Sequence, residues 1–163
     1  MKERLILRGL LLFGLTATAF LIRRPPTKDW VLVFFLKGVI SSFIGMYVVS
    51  KKWLKYPVRL APKSFHSSLL FDYLLFPLAC VAYNQTSYRS KFPGMIFQAV
   101  LYTTPMTLFE VWLEKNTQLI KYIKWSWFHT FTSLFVTFVS VRAFMEWIRD
   151  ITSRQAKEKK EMM

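Results

Sequence analysis

Apolar residues in this chain come in long runs, separated by short stretches rich in basic residues and proline. The runs have the length of membrane-crossing helices. Five stand out, at 5–22, 30–49, 69–84, 96–112 and 125–147. The first follows Lys2, Arg4 and Arg8. Ala17-Thr18-Ala19 has the small-x-small form of a leader cleavage site, but Arg8 interrupts the apolar region and Phe20-Leu21-Ile22 continues it, so an uncleaved span is expected. Pro25-Pro26 stops that helix. The second run opens at Trp30 and carries Lys37, with Ser41 and Gly45 at i+4 and i+8. Gly38 and Ser42 form a second small-residue pair, so both faces permit close helix packing. The third, FDYLLFPLACVAYNQ, has Pro77 in its middle and is predicted to kink there. The fourth is the least apolar, with Thr103, Pro105, Thr107 and Glu110. The polar tail 149–163 is predicted to continue the last helix into water and fray.

The pattern predicts an all-α, polytopic membrane helix bundle of about five transmembrane helices. It forms one domain over 1–148, with a charged tail behind it. A rival arrangement has four spans and a re-entrant segment at 96–112. Basic residues divide almost evenly between the two sides of a five-span chain, so the positive-inside rule does not orient it, whereas the four-span chain is more lopsided.

Composition agrees with lipid. The chain is 53% hydrophobic and 18% aromatic, with sixteen Phe, and its mean hydropathy is +0.28. The net charge of +14 lies between the apolar runs, where membrane loops carry it, and no aromatic-plus-basic nucleic-acid motif is present. The loop 50–68 holds Lys51, Lys52, Lys55, Arg59 and Lys63 among Trp53, Tyr56 and Phe65. Those five are the expected contacts for anionic lipid headgroups. Cys80 is the single cysteine, which excludes an internal disulfide or a Cys-based metal site.

Span parity places three ionisable residues at one depth in a five-span chain: Asp72 early in the third span, Glu110 late in the fourth and His129 early in the fifth. Thr103, Thr107, Glu110 and Glu114 share one helix face. His129, Thr132, Ser133 and Ser140 are read as a second polar stripe. A looser group, Lys37, Asn84, Gln85 and Arg142, falls toward the other side. Ionisable residues within spans are candidates for proton or ion pathways, while span-end acids also occur as hydrated interfacial groups. There is no HExxH or Glu-x-x-His spacing, GxSxG or phosphate-binding glycine loop, so neither a metal nor a cofactor is expected.

The blocks KYPVRLAPKSF, FDYLLFPLACVAYNQTSY and TTPMTLFEVWLEKNTQLIKYIKWSWFHTF resemble a family of small integral membrane proteins from spore-forming Gram-positive bacteria with no assigned activity. The resemblance rests on Tyr56-Pro57, Asp72-Tyr73, Tyr83-Asn84-Gln85, Glu110/Glu114 and Trp125/Trp127/His129. It implies a multi-pass protein of the bacterial cytoplasmic membrane and supplies no role for any residue. The expected function is a non-enzymatic one: a small transport or channel component, or an accessory subunit, in which Asp72, Glu110 and His129 bind or relay a proton or cation. A membrane-embedded enzyme acting on lipid headgroups is the first alternative. A structural subunit, docking a second copy or another membrane protein through the small-residue faces of the second span, is the other.

Overall fold

The computed structural model describes residues 2–58 and 68–162. It is all-α apart from one short strand pair. Helix α1 spans Lys2–Ile22, α2 Thr27–Ser50, α3 Phe76–Thr86, α4 Phe92–Asn116 and α5 Trp127–Glu161. Three of these, α1, α2 and α5, are long and apolar enough to cross a membrane, which points to a multi-pass membrane location.

The distribution of polarity runs opposite to that of a water-soluble domain. Phe35, Phe97 and Leu108 are 67%, 69% and 64% exposed, while Lys37 and Arg142 are each 2% exposed and Asn84 is fully buried. Such an arrangement suits hydrocarbon, where polar side chains find partners only inside the bundle. Helix α4 shows it clearly. Thr103, Thr107 and Glu110 are buried, as their shared face predicts, and Phe97, Leu101, Leu108 and Trp112 point outward.

Helix α2 lies at the centre and packs on α3 and α5. Its small residues make this possible. A Cβ at Gly38 would sit 3.7 Å from the Pro77 ring, and one at Gly45 would sit 2.6 Å from an Asp72 carboxylate oxygen. Ser41 and Ser42 are buried on the same side. The small-residue faces of α2 are therefore used within the bundle, not held out for a partner. Gly14 does the same for α1, with a Cβ position 2.5 Å from Leu74.

A π-helical turn, Phe71–Leu75, leads directly into α3. Its closing bond runs from the Phe76 N–H to the Phe71 carbonyl. In an α-helix the Pro77 ring would clash with the carbonyl four residues back, and the wider turn relieves this. The expected Pro77 kink is thus realised as a π turn. The segment 96–112 contains no re-entrant hairpin: α4 continues unbroken through Pro105. The tail is helical as far as Glu161, with residues 151–162 exposed.

Each end of the bundle is tied. At one end β1 (Leu54–Lys55) pairs antiparallel with β2 (Lys121–Tyr122). The Trp53 carbonyl also accepts the N–H groups of Ile123 and Lys124, at 3.0 Å each. This joins the loop after α2 to the loop between α4 and α5. At the other end the Arg149 guanidinium donates to Asp29 at 2.6 Å and lies 4.4 Å over the Tyr88 ring. Arg142 donates to the Ser87 and Tyr88 carbonyls, capping α3.

Helix α2 ends in a Schellman turn, with the Trp53 N–H bonded to the Val48 carbonyl and the Lys52 N–H to that of Val49. Lys52 occupies the left-handed position, at φ 57°. Lys52→Gly is expected to raise unfolding stability in mixed micelles by roughly 1 kcal/mol, the cost of that conformation for a side-chain-bearing residue. The strand pair gives a topological test. Lys55 and Lys121 are register partners, within disulfide reach. In a Cys80→Ser background, cysteines at these two positions should oxidise to an intramolecular disulfide, seen as a gel shift that reductant reverses. Loops on opposite faces of the membrane would give none.

Candidate functional site

Helix α2, the π turn, α4 and α5 surround a cavity of about 50 Å³. That is room for roughly three to five water molecules. Its polar lining comprises Lys37 and Ser41 from α2, Tyr56 from the first tied loop, Asp72, Glu110, and Thr130 and Ser133 from α5. The small residues of α2 bring the acids in: the carboxylate of Asp72 fills the space that Gly45 leaves open.

Glu110 is held from two directions. The Tyr122 hydroxyl and the Thr130 hydroxyl each donate to its Oε1, both at 2.8 Å. Thr130 in turn accepts from the Trp125 indole N–H at 2.7 Å, so its single proton is committed to the carboxylate. Tyr122 lies on β2, which ties the strand clasp to an acid inside the bundle. Lys37 donates from Nζ to the Thr137 hydroxyl at 2.8 Å, and its ammonium lies 5.6 and 5.9 Å from the Phe138 and Phe76 ring centres. The Ser41 hydroxyl oxygen is buried and has no hydrogen-bond partner among the described residues.

Of the expected acid–histidine cluster, Asp72 and Glu110 share this cavity and His129 does not. His129 is exposed and shares a 2.7 Å hydrogen bond with Ser126. The polar stripe read through His129 divides: Ser133 lines the cavity, whereas Thr132 and Ser140 are exposed like His129, and Thr130, Leu134, Thr137, Phe138 and Val141 form the buried face of α5. The group Lys37, Asn84, Gln85 and Arg142 also divides. Lys37 lines the cavity with the acids, its ammonium held on Thr137. Asn84 donates back to the Cys80 carbonyl at 2.9 Å, Gln85 donates to the Leu21 carbonyl at 2.7 Å, and Arg142 caps α3. The signal for Lys37 lay in the sequence: its i+4 and i+8 neighbours, Ser41 and Gly45, line the same cavity. Tyr56 and Tyr122 come from loops, where no periodicity announces them.

Lys51, Lys52 and Lys55 are exposed around the strand clasp, and the Lys51 ammonium lies 5.8 Å from the Tyr47 ring centre. Arg59 and Lys63 lie outside the described residues. Among the described residues, no three His, Cys, Asp or Glu side chains gather as metal ligands.

No protein-family model matches the chain, and no curated protein or solved structure matches it either. The chemistry of the site is therefore argued from its own geometry.

Both loop tyrosines are kept neutral. Burial pushes the Tyr56 phenol well above its ordinary range, and Asp72, Glu110 and Tyr122 nearby push it further. Burial likewise raises Tyr122, with Glu110 the next cause. Each phenol thus holds its proton and stays a donor through neutral and moderately alkaline pH. In a spectrophotometric titration of the folded protein, Tyr56→Phe and Tyr122→Phe should leave the amplitude in the ordinary tyrosine range unchanged and reduce only the alkaline end. A loss near pH 10 would show an accessible phenol instead.

Proposed function

We propose that this is a small transport or channel component of a bacterial cytoplasmic membrane, crossing it five times, whose Asp72–Glu110 cavity binds and relays a proton or a small monovalent cation. One observation carries the reading. Two carboxylates from separate elements and one lysine line a cavity of about 50 Å³ inside a bundle whose outer face is apolar. In lipid such groups are costly unless used.

The five-span arrangement is supported by the apolar outer face and polar inner face of α4, and by the strand pairing of the loops before α3 and after α4. The resemblance to small membrane proteins of Gram-positive bacteria bears on location alone. The cavity has room for an ion or a few waters and is too small for a lipid headgroup, and His129, the base that headgroup chemistry would use, faces away from it. The transport reading is preferred for these two reasons.

The test is ion flux in proteoliposomes. Asp72→Asn and Glu110→Gln are each expected to lower pH-driven flux by about tenfold or more, equivalent to losing one stabilising interaction of about 1.4 kcal/mol. His129→Ala should retain wild-type flux. Normal flux in both acid variants, reconstituted at equal levels, would end the proposal.

A further inference from the structure

A second, larger concavity meets the polar cavity at Glu110. It lies between α1 and α4, with α3 as its floor, and its volume is about 470 Å³. That is within the usual range for small-molecule sites, about 300–1,000 Å³. Its walls are apolar and aromatic, with Phe13 and Ala17 on α1, Ala82 on α3, and Tyr102 and Phe109 on α4. Among the described residues that line it, Glu110 is the only ionisable carboxyl. Both hydrogen bonds to Glu110 fall on Oε1, and Oε2 is the carboxylate oxygen that the described residues leave unengaged.

These facts select the occupant. A hydrocarbon chain would satisfy the walls and leave a carboxylate oxygen against methylene groups, which is unfavourable in a low-dielectric setting. An anion would be repelled. A molecule with an apolar, preferably aromatic, body and one positive charge satisfies both parts. Its body fills the groove, its charge meets Glu110, and Phe13, Phe109 and Tyr102 offer ring faces to a cation. We infer that the α1–α4 groove is a binding site for lipophilic monovalent cations, with Glu110 as their counter-ion. This rests on the proposed role of Glu110 and names the substrate class that the cation site would serve.

Tetraphenylphosphonium and its isosteric anion tetraphenylborate are suitable probes for the full-length protein in detergent micelles. Saturable binding of labelled tetraphenylphosphonium is expected. Glu110→Gln should weaken it by about tenfold or more. Ala82→Phe, which fills the groove and keeps the carboxylate, should weaken it comparably, and excess tetraphenylborate should not displace it. Circular dichroism and gel filtration establish that both variants are folded. Equal binding to Glu110→Gln, or displacement by the borate, would show a plain hydrocarbon-filled groove and overturn the inference. If the wild-type protein conducts protons in vesicles yet binds no tetraphenylphosphonium, this inference fails while the proton-site proposal stands. Failure of both assays sinks the two together.

Discussion

Gly45 has no side chain, and the space a Cβ would occupy is taken by the carboxylate of Asp72. Helix α2 can therefore lie directly against the π turn, and the arrangement of the polar end follows from that contact. With α2 so close, Lys37 and Ser41, two turns and one turn earlier on the same face, look into the same space as Asp72. The cavity is closed on its other flank by α4 and α5, which contribute Glu110 and Thr130. A methyl group at position 45 would separate the two helices or push the acid aside, and either movement would disperse the cluster.

The polar groups also explain how the bundle is fixed in register. Helices bathed in lipid gain little from burying apolar surface against one another. What distinguishes one packing from its neighbours is the satisfaction of polar atoms: Lys37 on Thr137, Thr130 on Glu110, Gln85 on the Leu21 carbonyl, Arg142 on the end of α3 and Arg149 on Asp29. Each joins two elements, and a slip of one residue in any helix would break at least one of them. The same bonds that specify the fold hold the acids in place.

Much of this architecture is legible in the sequence. Long apolar runs with proline and basic breaks give the helices, and the spacing of Thr103, Thr107 and Glu110 gives the inner face of α4. Span parity places Asp72 and Glu110 at a common depth. His129 went astray because the start of α5 is crowded with aromatic and hydroxyl residues. There, neighbouring helix faces differ by one residue, and Thr130 is as plausible by type as His129. Lys37 lies nearer the other side by its place in the second run, yet it lines the acid cavity through the i, i+4, i+8 face it shares with Ser41 and Gly45. The partners of Glu110 on β2 and α5 depend on two loops pairing across the chain, a long-range contact that local periodicity does not encode.

Helix α5 has one further consequence. Its 35 residues make a rod of roughly 52 Å, well beyond a hydrocarbon core of about 30 Å. Thr130 stands at the acid cavity, Arg149 at the far clasp, and the exposed turns after Arg149 reach into water. Because the helix is unbroken and is clasped at Arg142 and Arg149, Lys157, Lys159 and Lys160 stand at set heights and angles on an exposed rod, so the basic charge of the tail is presented as a fixed pattern and not as a loose strand.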